Sequence, residues 1–281
     1  MKKNKPIRWA AVTDHAITYL LLLIVAFIFF FPCLWLILAS FSSSGSIYSF
    51  EGFFPAGYSL ESFRKLFTDT AMYDYPRWFF NSLFIATMSC ILGTLLTILT
   101  AYCISRFQFK SRKALMKTTL VLGMFPSFMG MTAVYILMTQ FGFINNHWGL
   151  ILIYTAGAPL GYMVQKGFFD SIPNSIDEAA RLDGATNFQV FCKIHMPLSM
   201  PIIVYTALTS FTWPWSDYIL PKLLLKTKDK WTVAVGLMSL GETEFSRFAA
   251  GSIFIAVPIV ILYLFLAKYL INGMVSGAVK E

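Results

Sequence analysis

Charge is scarce in this 281-residue chain: Asp, Glu, Lys and Arg make up 13% of it, about half the share usual in soluble domains. A water-soluble globular class is thereby disfavoured. Cysteine is nearly as sparse. Cys33, Cys90 and Cys103 lie in apolar runs and Cys192 in a polar one. No zinc-site spacing occurs, so these residues read as small apolar packing groups rather than a disulfide framework. The three histidines, His15, His147 and His195, stand alone in the sequence and give no metal or catalytic set. No phosphate loop of the form GxxxxGKS or GxxxxGKT is present, so the chain does not hydrolyse ATP by that route. Neither an HExxH motif nor a convincing Ser/His/Asp set occurs, which argues against a hydrolase.

What is abundant is oil. Hydrophobic residues make up 57% of the chain, and the mean hydropathy is +0.65. A spanning helix needs about 20 mostly apolar residues. Six runs qualify, at about 16–41, 79–104, 115–139, 148–164, 198–220 and 248–270. The pattern predicts an all-α membrane protein with six transmembrane helices and a single membrane-embedded domain, 1–281, whose core spans occupy about 79–271. The first run is too long for a signal-peptide core and lacks a clean cleavage site, so it reads as a retained helix. The middles of the runs hold no ionisable residue. Asp217 comes nearest, toward one end of the fifth. A proton- or ion-coupled carrier thereby lacks its coupling group.

The net charge of +8 follows membrane topology rather than nucleic-acid binding. With the N-terminus inside, fourteen Lys and Arg fall on the inner side and eight on the outer. The segment from Arg106 to Lys113 dominates the count, which predicts both termini in the cytoplasm. The loop 222–247, assigned to the outside, is basic and runs against the rule.

Residues 174–197, NSIDEAARLDGATNFQVFCKIHMP, form the polar exception, within a predicted cytoplasmic loop 167–197. Ser175 with Glu178, and Thr186 with Gln189, each fit a capping box. Asp177 and Glu178 complement a helix start, and Gly184 supplies a stop. The spacing predicts two short helices, about 176–183 and 187–195. The first is too short to stand alone. Ile176, Ala179, Ala180 and Leu182 need a surface, either the protein's own spans or a groove on a partner.

Glu178-Ala179-Ala180, Asp183-Gly184-Ala185 and Ile194-His195-Met196-Pro197 resemble the EAA loop of permease subunits of ABC importers. Met196 stands where the usual ending I-x-L-P has Leu. The resemblance runs from Asn81-Ser82 to the C-terminus. Phe211-Thr212-Trp213, Asp217, Leu220-Pro221 and the tail 272–280 make it similar to the second permease subunit of maltose and maltodextrin importers. It implies a type I ABC importer permease fold in a bacterial cytoplasmic membrane, importing a sugar or oligosaccharide, with maltodextrin-like cargo. It implies three partners: a second homologous permease, a cytoplasmic ABC ATPase dimer, and an extracytoplasmic solute-binding protein. No cofactor belongs to this chain, since ATP and Mg²⁺ sit on the ATPase. It further implies that Glu178, Ala179, Ala180, Asp183, Gly184 and Ala185 form the ATPase-coupling site, with the tail around Lys280 near the same interface.

The resemblance also makes 222–247 a loop that probes the binding protein; a plain solvated loop fits as well. Trp213, Trp215 and Asp217 fit either an outer gate lining the path or, for the two Trp, an interface belt. In maltose-type systems the other subunit holds most of the sugar. Pro126, Pro159, Pro214 and Pro258 interrupt the runs. A secondary carrier and a non-transporting membrane scaffold remain the competing classes. The first lacks a buried ionisable group, and the second leaves the capped helix pair without a purpose.

Overall fold

The computed structural model of the chain describes residues 9–51, 53–157 and 161–278. Its contacts divide into two units, one running to Thr68 and including Leu240–Ile253, the other holding Asp69–Ser239 and the chain from Phe254.

The first unit begins with α1 (Trp9–Ser40), whose stretch Ile17–Ser40 buries none of its most apolar window. Such a helix is stable only where lipid or another chain covers it. A hairpin follows, β1 (Phe50–Glu51) against β2 (Phe54–Pro55), with Phe50 opposite Pro55. Then comes α2 (Glu61–Thr68), whose first turn is held by Ser59 Oγ accepting from Glu61 N at 3.0 Å. The aromatic-rich stretch packs on itself, with Phe41 and Phe63 ring centres 5.1 Å apart. Ser246 Oγ donates to Ser44 O at 2.7 Å, and Tyr48 Oη donates to Glu242.

The second unit is built around α3 (Tyr75–Arg106). Asp74 caps its start by accepting from Arg77 N, and Pro76 occupies the first turn, where a missing N–H costs nothing. One face of α3 is small: Ser82, Ala86, Ser89, Gly93, Thr97 and Ala101 are buried. Steps of three and four put them in one stripe, and small residues let helices approach closely in a membrane. The remaining helices are α4 (Arg112–Gly123), α5 (Met131–Gln140), α6 (His147–Gly157), α7 (Met163–Asp170), α8 (Asn174–Leu182), α9 (Asn187–Val190), α10 (Met196–Leu198), α11 (Met200–Ser216), α12 (Ile219–Leu224) and α13 (Val233–Met238). Finally α14 (Phe245–Ala278) begins in the first unit and ends in the second.

Among the described residues three helices are each long and apolar enough to cross a membrane: Ile17–Ser40, α3 and Glu242–Tyr269. Two bent pairs bring the number to five. The third run is α4 and α5, broken around Pro126. The fifth is α11, which the helical stretch Asn187–Leu198 meets at an angle of 80°. The fourth run falls on α6 and α7, each shorter than a span, with residues 158–160, Pro159 among them, outside the described residues. Pro214 and Pro258 lie inside α11 and α14.

Segment 217–239 is tied down rather than loose. Trp78 Nε1 donates to Lys228 O at 2.7 Å, and Asn81 Nδ2 donates to Asp229 O and Trp231 O. Ser82 Oγ accepts from Val233 N at 2.8 Å. Gly236 sits so close to Trp78 that a Cβ would lie 1.9 Å from the indole ring. The basic excess here has an account in packing: Lys222 lies over Trp231, and Lys226 over Tyr135. A cation over an aromatic face is stabilised without a carboxylate partner.

Candidate functional site

The polar stretch folds as two short helices at a sharp turn. Thr186 Oγ1 accepts from Gln189 N while Gln189 Oε1 accepts from Thr186 N, a complete capping box for α9. Gly184 has φ +86°, a backbone region that suits glycine. It closes α8 through Gly184 N donating to Arg181 O at 3.0 Å. The Ser175 box does not form. Pro173, at φ −59°, takes the cap position and α8 starts at Asn174. Ser175 is then already inside the first turn, where its hydroxyl can no longer cap. Beyond α9 the helix runs on through a π-helical turn, Phe191–His195, into α10. It therefore extends past the expected end at His195.

The two faces of α8 differ. Glu178, Ala179, Asp183 and Gly184 are exposed, and Ala180 and Ala185 are half-buried. Two large apolar side chains stand beside them, Leu182 at 90% exposure and Phe188 at 74%. Phe188 went unremarked in the sequence; the signal was a bare aromatic right after a cap. The opposite face carries Asp177, which is buried. His195, isolated in sequence, is not isolated in space: its Nε2 donates to Asp177 Oδ1 at 2.7 Å. Burial, the largest influence, holds the His195 pKa below its ordinary 6.5, with the bond to Asp177 opposing.

A second feature is a cavity of about 900 Å³ among α3, α5, α6, α7 and α11, a size that accommodates a small ligand. Trp213, at 69% exposure, and Tyr205 offer open aromatic faces on it. Gln165, Thr206, Thr209 and Ser210 add polar groups. Asp217 also lines it, but its carboxylate is already engaged: Oδ2 accepts from Tyr154 Oη at 2.7 Å and Oδ1 from Ile219 N at 3.0 Å. Among the described residues the lining holds no Lys or Arg. Trp215 takes no part in the lining. It is fully buried, stacked on Phe211 at 5.5 Å, with Nε1 donating to Ile255 O at 3.0 Å. Residues two apart on a helix face different ways, so Trp213 and Trp215 separate. Lys280 lies outside the described residues.

Apolar helices of spanning length, a polar helix pair and an open cavity fit the class of membrane permeases. Residues 93–276 match the family described as binding-protein-dependent transport system inner membrane component, and the chain belongs to it. Relatives are permease proteins of sugar transport systems. A galactooligosaccharides transport system permease of Bacillus subtilis is 35% identical over 268 residues, 94% of each chain. A maltodextrin transport system permease of Streptococcus pneumoniae is 34% identical over 282 residues, 99% of each. The fold is similar to a chain of a bacterial ABC transporter involved in import of the acidic polysaccharide alginate. The TM-score is 0.76 at 20% identity, over 95% of this chain and 99% of that one. A second crystal structure is of a bacterial alginate ABC transporter in complex with a pentasaccharide-bound periplasmic protein. It gives a TM-score of 0.66 at 21% identity, over 93% and 96%.

Proposed function

We propose that this chain is one of two permease subunits of an ATP-driven carbohydrate importer in a bacterial cytoplasmic membrane. It has six spans and both termini inside. It forms half of the path by alternating access. Cargo arrives on an extracytoplasmic solute-binding protein, and the energy comes from a cytoplasmic ABC ATPase dimer that binds ATP and Mg²⁺. The single observation that carries the coupling is the exposed face of α8 and α9. Leu182 and Phe188 are apolar side chains with almost no cover from this chain, set beside Glu178, Ala179, Asp183 and Gly184. A short amphipathic helix of this kind fits a groove on a partner.

The cavity chemistry favours a neutral oligosaccharide of the maltodextrin kind, as carried by the streptococcal relative. Aromatic faces and hydroxyls suit sugar C–H and O–H groups, while a lining whose described residues include no lysine or arginine disfavours an acidic polysaccharide. Asp217, the acidic residue in the described cavity lining, already accepts hydrogen bonds from Tyr154 and Ile219. The test is Glu178→Lys in the assembled complex. Uptake of radiolabelled maltodextrin is expected to vanish while the chain still inserts; wild-type uptake would defeat the reading.

A further inference from the structure

One guanidinium at the end of α3 meets four residues of the segment that follows from α7 into α8. Arg106 is the last residue of that helix, and its side chain is buried. One terminal nitrogen donates to Phe169 O at 2.6 Å and Ile172 O at 2.7 Å, at the end of α7 and just beyond it. The other donates to Asn174 Oδ1, the first residue of α8. Its Nε lies 3.8 Å from Asp177 Oδ2. The second oxygen of Asp177 takes the bond from His195 Nε2, in the π-helical turn. Because a carboxylate only accepts, Nε2 carries a proton in this contact. The His195 ring is wedged between Tyr102 at 5.1 Å and Phe169 at 6.0 Å.

The exposed docking face of α8 and the buried Asp177 are therefore two sides of one nine-residue helix. So short a helix holds its shape only through what it packs on, and its apolar contacts alone would let it slide. Hydrogen bonds to ionised groups are shorter, stronger and more directional than neutral ones. A buried pair also fixes register, because any slip leaves a charge uncompensated. We propose that Arg106, Asp177 and His195 are positioning residues that lock α8 to α3, delivering ATPase-driven displacement of α8 to the spanning helix. This rests on the coupling reading of α8.

The test uses the full complex: both permeases, the ATPase and the binding protein, in a cysteine-free background carrying Thr97→Cys. Thr97 lies on α3 and lines the cavity. The rate at which a small reagent labels the introduced thiol is measured with and without a non-hydrolysable ATP analogue, alongside ATPase retention on purification. His195→Phe keeps a ring against Tyr102 and Phe169 but loses the donor. It is expected to retain the ATPase while the ATP-dependent change in labelling falls about tenfold, a typical allosteric coupling term. His195→Gln, whose amide nitrogen replaces Nε2, is expected to restore the change. An undiminished change in both His195→Phe and Arg106→Lys would overturn the proposal. So would loss of the ATPase from the Phe variant, or failure of Gln to restore the response, since the cluster would then serve only the folding of the segment. A Glu178→Lys complex that keeps both ATPase and response would instead defeat the underlying coupling reading.

Discussion

His195 shows how much a single side chain takes from its surroundings. Asp177 from α8 and Arg106 and Tyr102 from α3 face it, with Lys193 on its own turn. Its pKa is lowered by burial, so the folded chain resists its protonation. The unfolded chain takes up that proton below about pH 6.5, so this contribution leaves stability flat above that pH and lowers it as pH falls further. Thermal unfolding of the purified complex should therefore show a steeper loss between pH 7 and 5.5 in the wild type than in His195→Gln. Gly236 poses a purely steric case. Its missing Cβ is what admits Trp78, so Gly236→Ala should cost about 1–3 kcal/mol through overpacking, read as a lowered unfolding midpoint. Trp215→Ala should cost more, about 3–5 kcal/mol, because the ring is fully buried. Trp213→Ala should leave stability unchanged and weaken cargo uptake.

At the scale of elements, what was legible in the sequence was local. The apolar runs located α1, α3 and α14, since twenty apolar residues in a row leave few alternatives, but α1 starts well before its run and α14 ends well after its own. The stop at Gly184 and the capping box at Thr186 were equally plain, because their partners sit within three residues. Ser175 misled because the helix starts one residue earlier, at Asn174, which leaves Pro173 at the cap and Ser175 inside the first turn. The pairing of Asp177 with Arg106 and His195 was not legible, since those residues are distant in sequence and meet only through the packing of α3 on α7. Which of Trp213 and Trp215 faces the cavity was likewise hidden until the neighbours of α11 were placed. The exposed pair Leu182 and Phe188 makes an element-scale prediction. Leu182→Asp or Phe188→Asp should leave the unfolding midpoint within experimental error, because neither side chain is packed. Each should weaken retention of the ATPase on purification by about tenfold, the loss expected of an apolar anchor at a docking surface.

At the scale of the whole molecule, the proposed function divides the work between this chain and another protein. In that proposal the long helices are the barrier, the cavity is half of a path, and the polar helix pair is the handle. A small shift at such a handle becomes a change of access only if the packed helices have two discrete arrangements that ATP biases differently. The most direct measurement is crosslinking from Ala179→Cys in a cysteine-free chain co-expressed with the ATPase. The account predicts a crosslink to the ATPase whose yield changes with ATP in actively importing vesicles. Labelling of that single thiol from the extracytoplasmic side, or full uptake with crosslinks only within the chain itself, would contradict it.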